Sequence, residues 1–377
     1  MRISCMQESL ARGLSIVGRA VSTRSSLPVL LNVLMTTDNG RLKLSATNLE
    51  IGINCWVGAQ VEQEGAITVP ARILADLVNS LPPERIDMQL NARTNTLNLR
   101  CGRQEANIKG LDAQDFPPLI IIPDDETPVE VNAGTFFQMI DQVAFAAAQD
   151  ENRPILTGVL AEIREDTLTL AAADGYRLSV RKEPIVSDAR QSSVVIPARA
   201  LQELRRVAIA DDQPVSMLIS RNRNQAFFHL DDVDVISQLV EGNFPDYRAL
   251  VPTHHNTEVT LSTTDFLSAV RVAFIFARDA SNMTRLQIVP DEGDGPGKVV
   301  VTATSSEHGD NVSEIDATVK GAQMEIAFNA RFLIDVLQAI NTPLVSFSTR
   351  DASSPGVFRP VNGPTFEHVL MPMHIGR

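Results

Sequence analysis

The chain has 377 residues, of which 44% are hydrophobic and 21% are charged, values typical of a soluble globular protein with proper cores. Its formal net charge of −13 argues against the basic footprint of most nucleic-acid-binding proteins, although an acidic exterior can surround a basic interior. No apolar run approaches the ~20 residues of a membrane-spanning helix, and the opening MRISCMQESLARG lacks the apolar core of a secretory signal. We therefore expect a cytoplasmic protein that does not contact membranes.

The three cysteines, Cys5, Cys55 and Cys101, are odd in number and widely spaced. Because no Cys-x-x-Cys pair occurs, structural disulfides and zinc sites are disfavoured and buried free thiols are expected. The adjacent His254 and His255 lack the spacing of helical metal ligands. The sequence predicts no metal and no cofactor.

One short phrase recurs three times, as VPARIL (69–74), IPARAL (196–201) and FNARFL (328–333). The arginines that mark the copies, 127 and 132 residues apart, are Arg72, Arg199 and Arg331. Each phrase leads from a short alternating strand pattern, through a corner, into a helical pattern. Three repeats of roughly 125 residues would fill the chain.

Each repeat also opens with an amphipathic helix, predicted over 8–21, 133–148 and 264–277. Apolar and polar residues alternate between and after the helices, which indicates antiparallel strands, about eight in each repeat. The predicted inner faces of the second helices are Ile73, Leu74 and Leu77; Leu201, Leu204 and Val207; and Phe332, Leu333, Val336, Leu337 and Ile340. The pattern predicts an α+β fold with two helices packed on antiparallel sheet in every repeat.

Two proline-containing segments join the repeats, DAQDFPPLIIIPDDE (112–126) and EGNFPDYRALVPT (241–253). A proline restricts the residue before it to extended conformations, so both segments are predicted to be stiff, extended connections between repeats. We place the three domains at residues 1–126, 127–253 and 254–377.

The whole chain resembles the bacterial DNA polymerase III β subunit family, the sliding clamps. The similarity is carried by many segments in order, namely SLPVLLNVLM (26–35), ATNLEIGI (46–53), ITVPAR (67–72), AADGYRLSV (172–180), VVIPARAL (194–201), LVEGNFPDYRALVP (239–252), GAQMEIAFNARFLIDVL (321–337) and VLMPM (369–373). The resemblance implies a non-catalytic processivity factor in which two protomers close head to tail into a pseudo-sixfold ring around duplex DNA. The implied partners are double-stranded DNA of any sequence, a second copy of the chain, the DNA polymerase III core, the clamp loader and other proteins with a clamp-binding motif.

The resemblance also implies a hydrophobic peptide-binding cleft between the second and third domains. The matching positions are Arg153, Leu156, Ala173, Gly175, Tyr176, Arg177, Leu178, Pro245, Leu250, Val369, Leu370, Met371, Pro372 and Met373. Pro154 and Ile155 stand where relatives can carry tyrosines, and Ala249 stands where an arginine can occur. Residues 374–377 extend beyond the cleft strand and are expected to drape over it.

Two further sets of residues follow from the same resemblance. The DNA-binding set is Arg24, Gln149, Arg199 and Arg206. The dimer contact joins an edge strand of the first domain to the partner's third domain, through Arg103, Ala106, Ile108, Phe274, Ile275 and Phe276. Ala106 is small where a large apolar side chain is common.

Two other classes of protein fit the sequence less well. An enzyme that processes nucleotides or phosphates would need clustered ionisable groups, but GDGPGK (293–298) lacks the GxxxxGK[ST] spacing of a phosphate loop. The acidic run 124–126 reads most simply as a solvated connector. A scaffold that never meets DNA is disfavoured by the arginines on the helices.

Overall fold

The structure is a computed structural model that describes residues 1–118, 128–150, 152–185, 191–208, 213–220, 224–290 and 296–374. The helices of this part of the chain are α1 (Gln7–Val17), α2 (Ala71–Ser80), α3 (Ala133–Val143), α4 (Ala198–Val207), α5 (Thr263–Ala277) and α6 (Ala330–Ala339). None of the helices in these ranges is long and apolar enough to cross a membrane.

The strands fall into three groups that follow the sequence repeats. The first group is β1 (Arg2–Met6), β2 (Asn32–Asp38), β3 (Arg41–Thr47), β4 (Ile51–Val57), β5 (Gln60–Gln63), β6 (Ala66–Pro70), β7 (Arg85–Asn91), β8 (Thr96–Cys101) and β9 (Gln104–Lys109). The second is β10 (Val129–Asn132), β11 (Gly158–Arg164), β12 (Thr167–Ala173), β13 (Arg177–Pro184), β14 (Ser192–Pro197), β15 (Pro214–Ser220), β16 (Gln225–Leu230) and β17 (Val233–Gln238). The third is β18 (Thr257–Ser262), β19 (Met283–Val289), β20 (Gly297–Ser305), β21 (Gly309–Lys320), β22 (Met324–Asn329), β23 (Leu344–Thr349), β24 (Gly356–Pro360) and β25 (Phe366–Leu370).

The second and third groups share one element order, and the first matches it apart from one strand: a strand, a helix, four strands, a second helix and three strands. The first group has one extra strand because β4 and β5 are separated at residues 58–59. The predicted α+β fold, with two helices and about eight antiparallel strands in each repeat, is confirmed. The predicted domain boundaries at 126 and 253 stay predictions, and residues 119–127 of the first joint lie outside the described ranges.

The repeated phrase folds as predicted, as a strand followed directly by a helix. Pro70 and Pro197 end their strands immediately before α2 and α4. In the third copy, the Asn329 side chain accepts a hydrogen bond from the Arg331 backbone N–H at 3.0 Å and so caps α6.

Three details of the predicted helices were wrong. The first helix ends at Val17, and the third ends at Val143, both earlier than the periodicity suggested, because each continues as a short 3₁₀ turn. Ile73 was placed on an inner face, but its side chain is 57% exposed. The buried residues of α2 are Ala71, Leu74 and Val78, which share a face that Ile73 does not join.

The described residues divide into two compact units. The first comprises 1–134 and 203–239. It holds a five-stranded sheet of order β5-β1-β7-β8-β9 and an eight-stranded sheet of order β10-β15-β16-β17-β4-β3-β2-β6. Helix α1 lies close on this second sheet, because a Cβ added at Gly13 would meet Val57 at 2.7 Å and Leu44 at 2.8 Å.

The second unit comprises 135–186, 190–202 and 240–377 in its described parts. Its twelve-stranded sheet has the order β14-β11-β12-β13-β25-β24-β23-β18-β21-β20-β19-β22. Helices α5 and α6 cover one face with a large core that includes Phe266, Leu333 and Phe328. A second apolar cluster, which includes Leu178 and Val369, occupies the opposite face, because neighbouring residues of a strand point to opposite sides.

The cysteines provide a test of this packing. All three are free and buried, and burial raises the pKa of Cys5 to about 12 and of Cys55 to about 11. Because the thiolate is the reactive form, we expect a disulfide reagent to modify none of the three thiols rapidly in the native protein and all three in denaturant. Counting released chromophore with and without denaturant checks this, and fast native labelling would contradict the burial.

Candidate functional site

A tight turn between β12 and β13 forms the first wall of the candidate site. Asp174 Oδ1 accepts hydrogen bonds from the backbone N–H groups of Tyr176 (2.9 Å) and Arg177 (3.0 Å), which fixes the turn. Gly175 has φ +93°, a left-handed conformation that glycine adopts without strain. The turn leaves the Tyr176 side chain 67% exposed.

Arg177 is held inside the second unit and not presented to solvent, since its side chain is only 8% exposed. Its Nε donates to Asp174 Oδ2 at 3.0 Å, Nη1 donates to Asp335 Oδ2 at 2.6 Å, and Nη2 donates to the Phe145 carbonyl oxygen at 2.9 Å. The guanidinium also lies 4.2 Å from the ring centroid of Phe332. Arg177 therefore fastens the turn to α6 and to the 3₁₀ turn after α3.

The last strand, β25, forms the second wall. It pairs with β13 on one side and with β24 on the other, with Leu178 opposite Val369. Beyond the strand, the Met371 N–H donates to the Tyr176 carbonyl oxygen at 2.9 Å, and the Met373 N–H donates to the Ala327 carbonyl oxygen at 2.7 Å. These bonds hold the chain end across the sheet, with Met371 46% exposed.

A crossing segment forms the third wall. Residues 240–251 run over the outer face of the sheet, where Tyr247 is buried in an apolar cluster. The cluster comprises Leu160, Ala171, Ala173, Leu178, Val180, Val195, Tyr247, Val357 and Val369, with Ile155, Val240, Phe244 and Val251 packed against it. A 3₁₀ turn at Tyr247–Leu250 then leaves Leu250 52% exposed.

The predicted cleft residues therefore all belong to the second unit, but they do not all face the cleft. Leu370 is fully buried in the core under α5 and α6, on the opposite face from Val369. Leu156, Ala173, Leu178 and Val369 are buried, whereas Tyr176, Leu250 and Met371 are the exposed apolar members. Arg153 lies beside the turn, since its Nη1 would be 3.2 Å from a Cβ at Gly175.

Three of the remaining members also have a defined place. Pro245 is exposed and lines an open pocket together with Leu160, Phe244 and Tyr247. Pro372 and Met373 are partly buried, and Met373 bridges to Ala327 on β22. His374 is exposed, and residues 375–377 of the predicted tail lie outside the described ranges.

The predicted DNA-binding residues are all exposed. Arg24 and Arg206 belong to the first unit, and Gln149 and Arg199 belong to the second. Arg206 Nη1 donates to Glu203 Oε1 at 2.6 Å, so part of its charge is offset by a buried carboxylate. Arg19 donates to the other oxygen of Glu203 at 3.2 Å.

The predicted dimer residues lie on β9, on α5 and, for the exposed Arg103, in the turn between β8 and β9. Ala106 is half-buried on the edge strand β9, where Ile108 is buried against its own unit. On α5, Phe274 and Phe276 pack against the core of the second unit, while Ile275 is 58% exposed.

Several residues that shape the candidate site were not predicted from the sequence. Asp335, Phe332 and Phe145, which hold Arg177, are far from it in the chain, and no local pattern marks them. Phe244 and Tyr247 stood within the similar segment LVEGNFPDYRALVP, where an aromatic pair beside a proline could have been noticed. A further missed feature is the exposed Val312 on β21 (60%).

Comparisons with known proteins agree with this architecture. Family models of the DNA polymerase III beta subunit match the N-terminal domain at residues 1–120, the central domain at 130–246 and the C-terminal domain at 248–374. The chain is 31% identical to the beta sliding clamp of Synechococcus elongatus over the full length of both, and 27% identical to that of Bacillus subtilis over 99% of each.

Solved structures give the same result. The Bacillus subtilis DNA polymerase sliding clamp superposes with a TM-score of 0.93 at 26% identity, and a Pseudomonas aeruginosa sliding clamp bound to griselimycin with 0.92 at 28%, both covering all of each chain. The chain belongs to the DNA polymerase III beta subunit family, the bacterial beta sliding clamps. Its function is that of a DNA clamp for processive replication, and it is not an enzyme, as the sequence predicted.

His368, on the cleft strand, generates a prediction about pH. It is completely buried, its Nδ1 lies 2.7 Å from Ser179 Oγ, and its Nε2 has no hydrogen-bond partner among the described residues. Desolvation, with the nearby Arg177 cation, lowers its pKa to about 3. Between pH 6.5 and about 3, His368 is therefore protonated in the unfolded chain but neutral in the folded chain. The free energy of unfolding falls as the pH falls through this window, by up to about 1.4 kcal/mol per pH unit.

We expect His368→Asn to flatten this part of the curve of unfolding free energy against pH, as measured by urea denaturation. The exposed His255→Asn is the matched control and should leave the slope unchanged. Equal slopes in the wild type and His368→Asn would contradict the assignment.

Proposed function

We propose that two copies of the chain close head to tail into a ring around duplex DNA, and that the cleft on the second unit tethers replication and repair proteins to it. The cleft is supported by the exposed apolar trio of Tyr176, Leu250 and Met371, because each of these residues lies within two positions of a member of one apolar cluster on the sheet. Exposed apolar side chains grouped on one surface mark docking sites for peptide anchors, and methionine gives such a surface an adaptable wall.

The proposed occupants are short apolar segments of the DNA polymerase III core, the clamp loader and other clamp-binding proteins. The Pseudomonas aeruginosa relative is a clamp that binds griselimycin. We propose that griselimycin binds this chain at the same trio, which makes it a practical probe of the cleft.

Two free strand edges support the ring. Strand β9 pairs only with β8 among the described strands. Strand β21 pairs with β18 only at residues 317–320, so within the described chain the edge of 309–316 opposite β20 is open. Unpaired edges invite pairing with another chain. Arg103, just before β9, and Lys109, at its end, complement Asp310 and Asp316 of β21, whereas Glu314 of β21 already pairs with Lys298.

Helix α5 adds an apolar contact to this proposed interface, since Val272 and Ile275 are both exposed on it. A head-to-tail pairing of β9 with β21 is heterologous, and a heterologous contact between two copies must close on itself to give a ring. The three-domain repeat then supplies six similar domains around the hole.

We propose that Arg24, Gln149, Arg199 and Arg206 face the DNA. Arg199 and Arg206 are two helical turns apart on α4, which puts them on one side of the helix about 10 Å from each other. Isolated cations and an amide can contact DNA phosphates, and such contacts do not depend on the base sequence. Few contacts of this kind bind weakly, which is compatible with sliding.

The ring is tested by mass in solution and by retention on DNA. We expect a dimer mass, with retention on nicked circular DNA in the presence of a clamp loader and loss on linearisation. Ile275→Arg should give the monomer mass, because a buried unpaired charge disfavours the contact. The matched control is Ile73→Arg, equally exposed at 57% on α2, which should stay dimeric. A wild-type monomer that is never retained on circles would refute the ring.

The cleft is tested separately by griselimycin titration. Leu250→Ala should weaken binding about tenfold, as expected for removal of a central apolar contact. Leu344→Ala, which shortens an exposed leucine on β23, should bind like the wild type. If both variants bound griselimycin with equal affinity, Leu250 would not be part of the binding site.

A further inference from the structure

The crossing segment that carries Pro245 and Leu250 touches the sheet over only part of its length. Phe244 and Tyr247 pack in the apolar cluster, whereas Pro245, Asp246 and Arg248 are exposed beside an open pocket of about 440 Å³, which is also lined by Leu160, Glu162 and Arg164 of β11 and by 193–195 of β14. Residues beside an open pocket have fewer neighbouring atoms and gain less dispersion attraction than residues in a filled core. Polar contacts therefore have a larger share in holding this part of the segment.

Glu162 in the lining of this pocket is a buried carboxylate, with its side chain 5% exposed. Arg164 Nε lies 2.9 Å from its Oε1, and Arg248 Nη2 donates to its Oε2. A buried carboxylate requires such partners, because desolvation of an unpaired charge is costly.

The two arginines differ in what they connect. Arg164 lies on β11 two residues from Glu162, so this pair stays within one strand. Arg248 belongs to the crossing segment, and among the described residues its pair with Glu162 is the salt bridge that joins this segment to β11. Because both arginines pair with the Glu162 carboxylate, replacing one arginine at a time compares a pair within β11 with a pair that reaches the crossing segment.

Arg248 is also placed to act on the cleft. It lies in the 3₁₀ turn between Tyr247 and Leu250, and its guanidinium is 4.6 Å from the Tyr247 ring centroid. Tyr247 packs in the apolar cluster, while Leu250 points outward as an exposed cleft residue. A shift of Arg248 would therefore move the turn that presents Leu250.

We propose that the Arg248–Glu162 pair positions the crossing segment and thereby sets the affinity and residence time of apolar ligands in the cleft. The pair does not touch the ligand, so Arg248 and Glu162 are positioning residues. The proposal rests on the proposed function of the cleft. It differs from that function in predicting that residues outside the exposed trio control binding.

The experiment compares three full-length variants with griselimycin as the probe. Arg248→Gln should weaken binding about tenfold, mainly through faster dissociation, as is usual when a group coupled to a site is removed. Arg164→Gln removes the other partner of Glu162 and should bind within about threefold of the wild type. Arg248→Lys keeps a charge that can reach Glu162 and should restore most of the affinity.

Hydrogen exchange gives a readout that does not depend on any ligand. Amides of 243–250 should exchange faster in Arg248→Gln than in Arg164→Gln, while those of α5 and α6 should be equal in both. Faster exchange throughout the second unit would show general destabilisation and overturn the positioning role.

The outcomes separate the two proposals. If the wild type binds griselimycin and Arg248→Gln binds equally well, the positioning role is wrong and the cleft stands. If Arg164→Gln loses as much affinity as Arg248→Gln, Glu162 supports the local fold and the positioning role is again wrong. If the wild type does not bind griselimycin and Leu250→Ala does not differ from it, the proposed cleft fails and this proposal fails with it.

Discussion

The pairing of the last strand, β25, with β13 is the interaction on which the second unit depends. Because β25 is hydrogen-bonded on both sides, four strands of the middle repeat (β11–β14) and the eight strands of the last repeat form one sheet of twelve. Alternation along β25 sends Leu370 into the core and Val369 into the outer apolar cluster. The same five residues therefore complete a core and supply a wall of the candidate cleft, so substitutions in β25 are expected to affect both.

The first unit contains a close counterpart of this joint. Strand β17 pairs with β4 there, and the Gln238 N–H donates to the Glu50 carbonyl oxygen at 2.8 Å, as Met371 does to Tyr176. Asn48 Oδ1 accepts from the backbone N–H groups of Glu50 and Ile51, as Asp174 does in its own turn. The backbone geometry is thus repeated. What distinguishes the candidate cleft is the side chains, since Glu50 and Gln238 occupy the places of Tyr176 and Met371.

The sequence predicted what depends on local pattern. The alternation of apolar residues, the corner phrase and the helix starts were sufficient for three similar α+β repeats, and the resemblance supplied the cleft positions. The sequence could not predict features that depend on contacts between residues far apart in the chain. Arg177 was named as a cleft residue, but its partner Asp335 is 158 residues away, and only the fold shows that this cation is fully engaged inside the unit. The prediction for Ile73 was wrong for a local reason. The residue was assigned to the inner face because it is apolar, although its position lies off the buried face of α2.

Charge placement reconciles a net charge of −13 with a DNA clamp. The first unit buries Glu203 between Arg19 and Arg206, so a carboxylate holds two guanidinium groups in place while it offsets part of their charge. Arg199, on the same helix, is exposed and has no ion-pair partner among the described residues. On the proposed DNA-facing surface, few and partly neutralised cations would give little affinity at each phosphate. For a ring that is retained by topology, strong phosphate contacts would only slow its movement, so an acidic chain with sparse helix arginines suits the function better than a basic one.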